Sequence, residues 1–147
     1  MDFTAAWLSR LLSSLDDELS PEQKRAVFAG CSTDCTAPWA TKAAELRRQL
    51  PEGTDVSSLL AAFCAVLPGG GPEVHVDGSY FTWRFAPGQC PCPVGQLTRN
   101  PAVCPCGTEH VRGMLEPLLG RPLAVTLEQS LLHGDDCCAY SVQIGRG

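Results

Sequence analysis

Residues 68–85, "PGGGPEVHVDGSYFTWRF", are where this chain changes its period. Upstream, apolar residues recur at three- and four-residue spacing, as on a helix face. Downstream, Val74, Val76, Phe81, Trp83 and Phe85 alternate with their neighbours, as on a strand. The run Gly69-Gly70-Gly71 stops the helical half, because glycine is a poor helix former. Asp77-Gly78 between the two alternating segments is a favoured hairpin turn. The stretch predicts an antiparallel hairpin that follows a helical half.

On the N-terminal side, Phe3, Trp7, Leu8, Leu11, Leu12 and Leu15 mark a first helix. Ser20-Pro21-Glu22 is a cap and first turn for a second, which runs through "EQKRAVFAGCSTDC" with Val27, Phe28, Cys31 and Cys35 on one side. "APWATKAAELRRQL", stopped by Pro51, and "DVSSLLAAFCAVL", stopped at Pro68, complete the helical part. On the C-terminal side, the cysteine-rich segment reads as an irregular loop and "TEHVRGMLEPLL" as a helix ended by Gly120. "LAVTLEQSLL", a turn at 133–136 and "CCAYSVQI" read as a second hairpin. The order ααααββαββ predicts an α+β fold, N-terminal helices packed with an antiparallel sheet of two hairpins and one later helix. It forms a single domain over 1–147, with a helical part (1–68) and a ββ-loop-αββ part (72–147).

The 147 residues are 44% hydrophobic and 18% charged, with a net charge of -5. No Lys/Arg-rich run offers a phosphate footprint, so a nucleic-acid partner is not expected. No apolar run is long enough to span a membrane. "MDFTAAWLSRLL" has an acid at Asp2 and reads as an amphipathic helix instead of a signal peptide, so the expected compartment is cytoplasmic.

Nine cysteines are many for such a chain, and an odd count in a reducing compartment does not suit a disulfide framework. Four fall in "QCPCPVGQLTRNPAVCPCGTEH", Gln89 to His110, as two Cys-Pro-Cys units. In extended backbone, residues i and i+2 point the same way, and Pro91, Pro93 and Pro105 bias Cys90, Cys92 and Cys104 toward extended dihedrals. Cys106 is expected at a helix N-terminus, where the dipole favours its thiolate, with His110 one turn on. Thiolate and imidazole ligands suit tetrahedral zinc. The proposed ligands are Cys90, Cys92, Cys104 and Cys106, with His110, Cys31, Cys35 and Cys138 as further partners. Cys31 and Cys35 could equally pack beside Val27 and Phe28, while Cys64 reads as core. Cys138 shares a face with Tyr140, Val142 and Ile144, and Cys137 points the other way. Glu109 and Glu116 read as a solvated helix face, and Glu128 as a candidate carboxylate. Under an enzymatic alternative Cys106 is a nucleophile and His110 its base.

Cys90-x-Cys92 followed by Pro105-Cys106-Gly107-x-x-His110 resembles the CDGSH-type iron–sulfur signature, without that signature's Asp and with a longer gap. It implies an iron–sulfur cluster as the alternative cofactor. The last third, with Cys106, Leu119-Gly120-Arg121-Pro122, Gly134-Asp135-Asp136 and Cys138-Ala139-Tyr140, resembles the 4-vinyl reductase-type domain. That resemblance implies a small α+β domain binding small, often apolar molecules, in some members beside a zinc. Cys106 and Cys138 match two of the family's cysteine ligands. Its strand cysteine falls at Ser130, and its acid falls one residue off, at Glu128 at best. The ending is also similar to the L-2-amino-thiazoline-4-carboxylic acid hydrolase family, which implies an enzyme. The expected function is a zinc-thiolate domain that binds or senses a small, partly apolar molecule, with a homodimer possible.

Overall fold

The computed structural model describes residues 2–146. Helix α1 (Phe3–Glu18) is capped by Asp2, whose carboxylate accepts the Ala5 N–H at 2.8 Å. Helix α2 (Pro21–Cys31) opens with Pro21 and a capping box in which Ser20 and Gln23 bond each other's backbone N–H groups. Helix α3 (Thr33–Gln49) follows after one residue, and α4 (Val56–Val66) is capped by Asp55. Strands β1 (Glu73–Asp77) and β2 (Tyr80–Arg84) form the expected hairpin. A short helix α5 (Pro93–Thr98) and a 3-10 turn lead into α6 (Cys104–Leu119). Strands β3 (Leu123–Gln129) and β4 (Ala139–Ile144) complete the fold.

The strands form one antiparallel sheet in the order β1-β2-β4-β3. Trp83 on β2 stands opposite Val74 on β1 and Tyr140 on β4, which carries the apolar row across the sheet. Between β3 and β4 the hairpin is interrupted by a register shift near Leu127 and a 3-10 turn at Leu131–His133. Helix α6 lies against β3 on one side and α3 on the other. The main core joins Phe63 of α4, Phe81 and Trp83 of β2, Leu115 and Leu118 of α6, and Val142 of β4. Truncating one such leucine to alanine costs about 2–5 kcal/mol. A second, smaller cluster joins Leu12 of α1, Phe28 of α2 and Val103, with Cys92, Cys106 and Leu132 packed on it.

Three local expectations change. The second helix ends at Cys31, because Ser32 turns its hydroxyl back to the Ala29 carbonyl at 3.1 Å and a new helix begins at Thr33. The segment after β2 is not wholly irregular, since it contains α5 and a 3-10 turn. Helix α6 begins one turn earlier than expected, at Cys104, whose φ of -56° and ψ of -31° are helical despite Pro105. Pro105 sits in the first turn, where its missing N–H breaks no helical bond. Cys92 keeps the extended backbone expected before proline (φ -92°, ψ 119°).

No described helix is long and apolar enough to cross a membrane.

Candidate functional site

The thiols gather around the start of α6. Cys92 is the N-cap of α5, and its Sγ accepts the Gly95 N–H at 3.4 Å. The Cys90 thiol turns toward the Cys92 carbonyl, 3.8 Å away. Cys104 on α6 places its Sγ 3.3 Å from the Ser130 hydroxyl, which is buried at the end of β3. Cys138 precedes β4, and both it and Cys137 are buried, the latter directed at Gln129 Oε1, 3.4 Å away. A side chain at Gly107 would run into the Tyr140 hydroxyl, so only glycine lets β4 approach this turn of α6 so closely.

Burial sets the chemistry of these groups. It pushes the Cys106 thiol up to about 12, with smaller contributions from Cys92, Cys31, Cys35 and Glu109. Burial also raises Cys104 and Tyr140. The expected thiolate at Cys106 is therefore corrected: the helix N-terminus is outweighed by desolvation. His110 does not serve it as a base either. Its Nδ1 lies 2.8 Å from the Thr36 hydroxyl on α3, and burial lowers its pKa.

Glu109 is not on a solvated face. It is 7% exposed, pairs with Arg112 on its own helix, and lies 3.5 Å from Arg25 Nε of α2. Glu116 accepts the Leu123 N–H, so it fixes the entry to β3. Glu128 accepts the Ser141 hydroxyl at 2.7 Å. Two clefts flank Glu109. One of about 420 Å³ is lined by Asp16, Asp17, Arg25, Cys104 and His133 among others, and one of about 310 Å³ by Thr36 and Arg112 among others.

The metal expectation is overturned. Among the described residues no group of three or more His, Cys, Asp or Glu side chains is placed to hold a metal ion. The donors are near one another but directed elsewhere. Cys104 faces Ser130, Cys92 faces a backbone N–H, and His110 faces Thr36. Cys31 and Cys35 are exposed on α2 and α3. Cys90, Cys92, Cys104, Cys106, His110, Cys31, Cys35 and Cys138 thus do not form the zinc-thiolate set, and an iron–sulfur cluster, which needs four converging ligands, fits no better.

A feature the sequence pattern did not single out lies on α1. Leu8, Leu12 and Leu15 turn inward, whereas Phe3, Trp7 and Leu11 are 82%, 58% and 39% exposed and line up at i, i+4 spacing. Helical periodicity identifies both rows as apolar and does not say which is covered.

No family model matches the chain, and no curated protein matches it. Solved structures do match. One is a trafficking protein particle complex subunit 3 from Naegleria fowleri, described as covalently bound to palmitic acid. The two are 15% identical, with a TM-score of 0.50, and the match covers 97% of this chain and 96% of that one. The likeness is one of fold, from end to end. The arrangement of the donors, with no metal-holding group among the described residues, overturns the zinc-thiolate reading of the function.

Proposed function

We propose that this chain is a subunit of a multi-protein assembly of the trafficking-particle kind, joined to a neighbouring protein through the outer face of α1. The observation that carries this reading is the row Phe3, Trp7 and Leu11, held out to solvent on a capped helix whose other face is anchored. Single exposed apolar residues are ordinary, but two aromatics and a leucine on one stripe form a contiguous apolar surface. Aromatic side chains each bury about 150–250 Å² when covered, and tryptophan is a frequent anchor of protein interfaces. The end-to-end fold likeness to a subunit of a protein complex supports the same reading.

The rim has a sign. Asp17 and Glu18 close the C-terminal end of α1, while Asp16 is paired with Lys24 at 2.7 Å. All nine cysteines are free, which suits a reducing compartment, and we assign the chain to the cytoplasm.

Native purification of the tagged chain from its own cells tests the proposal. The expected species is far heavier than the 15.7 kDa chain and contains other proteins in fixed ratio. A monomer, or a dimer of this chain alone, overturns it.

A further inference from the structure

The two thiols that share the small apolar cluster are Cys92 and Cys106. They come from different elements, the N-cap of α5 and the first turn of α6, yet both pack on the cluster of Leu12, Phe28 and Val103. Each is half-buried, so a small solute reaches it while bulk water is limited. We propose that Cys92 and Cys106 form an oxidant-responsive pair, which a hydroperoxide converts to a disulfide joining α5 to α6 beneath α1.

The roles of the two sulfurs follow from their surroundings. Cys92 Sγ accepts the Gly95 N–H, a bond that strengthens as negative charge gathers on sulfur. Burial holds Cys106 protonated, so it is not the sulfur that meets the peroxide, and loss of its proton makes its attack on Cys92 the slower step. The other thiols are less well placed. Cys104 is engaged with Ser130 and Cys90 is turned to a carbonyl. Cys31 and Cys35 are four positions apart across the α2–α3 junction, and Cβ atoms at that helical spacing stand about 5–6 Å apart. A disulfide needs about 3.5–4.5 Å.

The chemistry balances with one hydroperoxide. The Cys92 thiolate attacks one peroxide oxygen, the O–O bond breaks, and the other oxygen leaves with a proton as water or an alcohol. Cys92 is then a sulfenic acid. The Cys106 sulfur gives up its proton and attacks the Cys92 sulfur, and the S–O bond breaks to release hydroxide, which takes that proton as water. Two thiols lose two electrons and the peroxide gains them. The new bond lies beside Leu12, on the inner face of the helix that carries Phe3 and Trp7 outside. The proposal stands independently of the assembly reading.

Peptide mapping tests it directly. Trypsin cuts after Arg84, Arg99 and Arg112, which separates Cys90 and Cys92 (peptide 85–99) from Cys104 and Cys106 (peptide 100–112). The reduced, folded chain is treated with about one equivalent of hydrogen peroxide and remaining thiols are alkylated. The expected main disulfide product is the 85–99/100–112 cross-link, reversed by dithiothreitol. It falls at least tenfold in Cys92→Ser and in Cys106→Ser and persists in Cys90→Ser and Cys104→Ser. Fragment ions of the wild-type cross-link assign the same pair without any variant. Three results overturn the proposal: a cross-link equally abundant when peroxide is added in guanidinium, fragments assigning another pair, or oxidation confined to Cys31 and Cys35.

Discussion

His110 Nδ1 lies 2.8 Å from the Thr36 hydroxyl and so ties α6 to α3 through a half-buried ring and a buried hydroxyl. Burial lowers the His110 pKa, which means the folded state resists protonation of this ring. Below the unfolded value of 6.5 the unfolded chain takes up a proton that the folded chain does not. This contribution to stability is therefore intact above pH 6.5 and is lost as pH falls toward the depressed folded value. Thermal melts should show the loss on acidification, and His110→Asn should flatten that part of the profile. Thr36→Val, which leaves the imidazole without its partner, should cost about 1–3 kcal/mol at neutral pH.

Glu109 should matter much more than its surface partner. Arg112 and Glu109 are both largely withdrawn from water, whereas Arg25 is 65% exposed. Removing one member of a buried pair leaves an uncompensated charge, so Glu109→Ala should destabilise by about 3 kcal/mol or more. Arg25→Ala should cost under about 1 kcal/mol. Denaturant unfolding of the two variants checks the order, and equal losses would refute this account of the pair.

Gly107 and Tyr140 should behave as one unit. A methyl group at Gly107 collides with the Tyr140 hydroxyl, so Gly107→Ala should destabilise by about 1–3 kcal/mol although alanine is the better helix former. In a Tyr140→Phe background the obstruction is gone, and the same change should become neutral or stabilising. A double-mutant cycle should give a coupling of about 1 kcal/mol or more, whereas additivity would contradict the close approach.

The thiols should be ranked by their surroundings. Alkylation of the folded chain near pH 7 should reach exposed Cys31 and Cys35 first. Cys106, held up to about 12, should be among the slowest, and mass spectrometry of timed samples reads the order. The same raised value carries a stability signature of opposite sign to that of His110. Above the ordinary thiol value of 9.0 the unfolded chain loses the proton that folded Cys106 keeps, so stability falls as pH rises past it.

Local chemistry made much of the fold legible. The hairpin forms as expected, although its turn falls at Gly78-Ser79, one residue later than Asp77-Gly78, because Asp77 still pairs with Tyr80. Ser20 caps α2, and Gly120 ends α6 with a positive φ of 64°. The α+β class and the antiparallel sheet follow from the change of period near residue 72. What the pattern does not carry is direction in space. Pro105 biases Cys104 toward extended backbone, yet helix α6 absorbs both residues in its first turn. Spacing on α6 alone puts Glu109 on a solvated face, because it does not show that Arg25 of α2 comes to lie over it. The cysteine count pointed to a metal centre, but ligation depends on where sulfurs aim, and Ser130, Gly95 and Gln129 take three of them. On α1, spacing alone does not tell Trp7, which is exposed, from Leu8, which is not.

The proposed contact to a partner protein is the row Phe3, Trp7 and Leu11 on α1. The most direct test is the native mass of the complex recovered from cells that carry Trp7→Ser in place of the wild-type chain. Trp7 is largely exposed, so the substitution should change the stability of the isolated chain by no more than about 0.5 kcal/mol. The loss of an interface anchor costs about 2 kcal/mol or more, roughly thirtyfold in affinity. The Trp7→Ser chain should be folded and should no longer run with the heavy assembly. A variant that remains in the assembly at wild-type stoichiometry and salt resistance would contradict it.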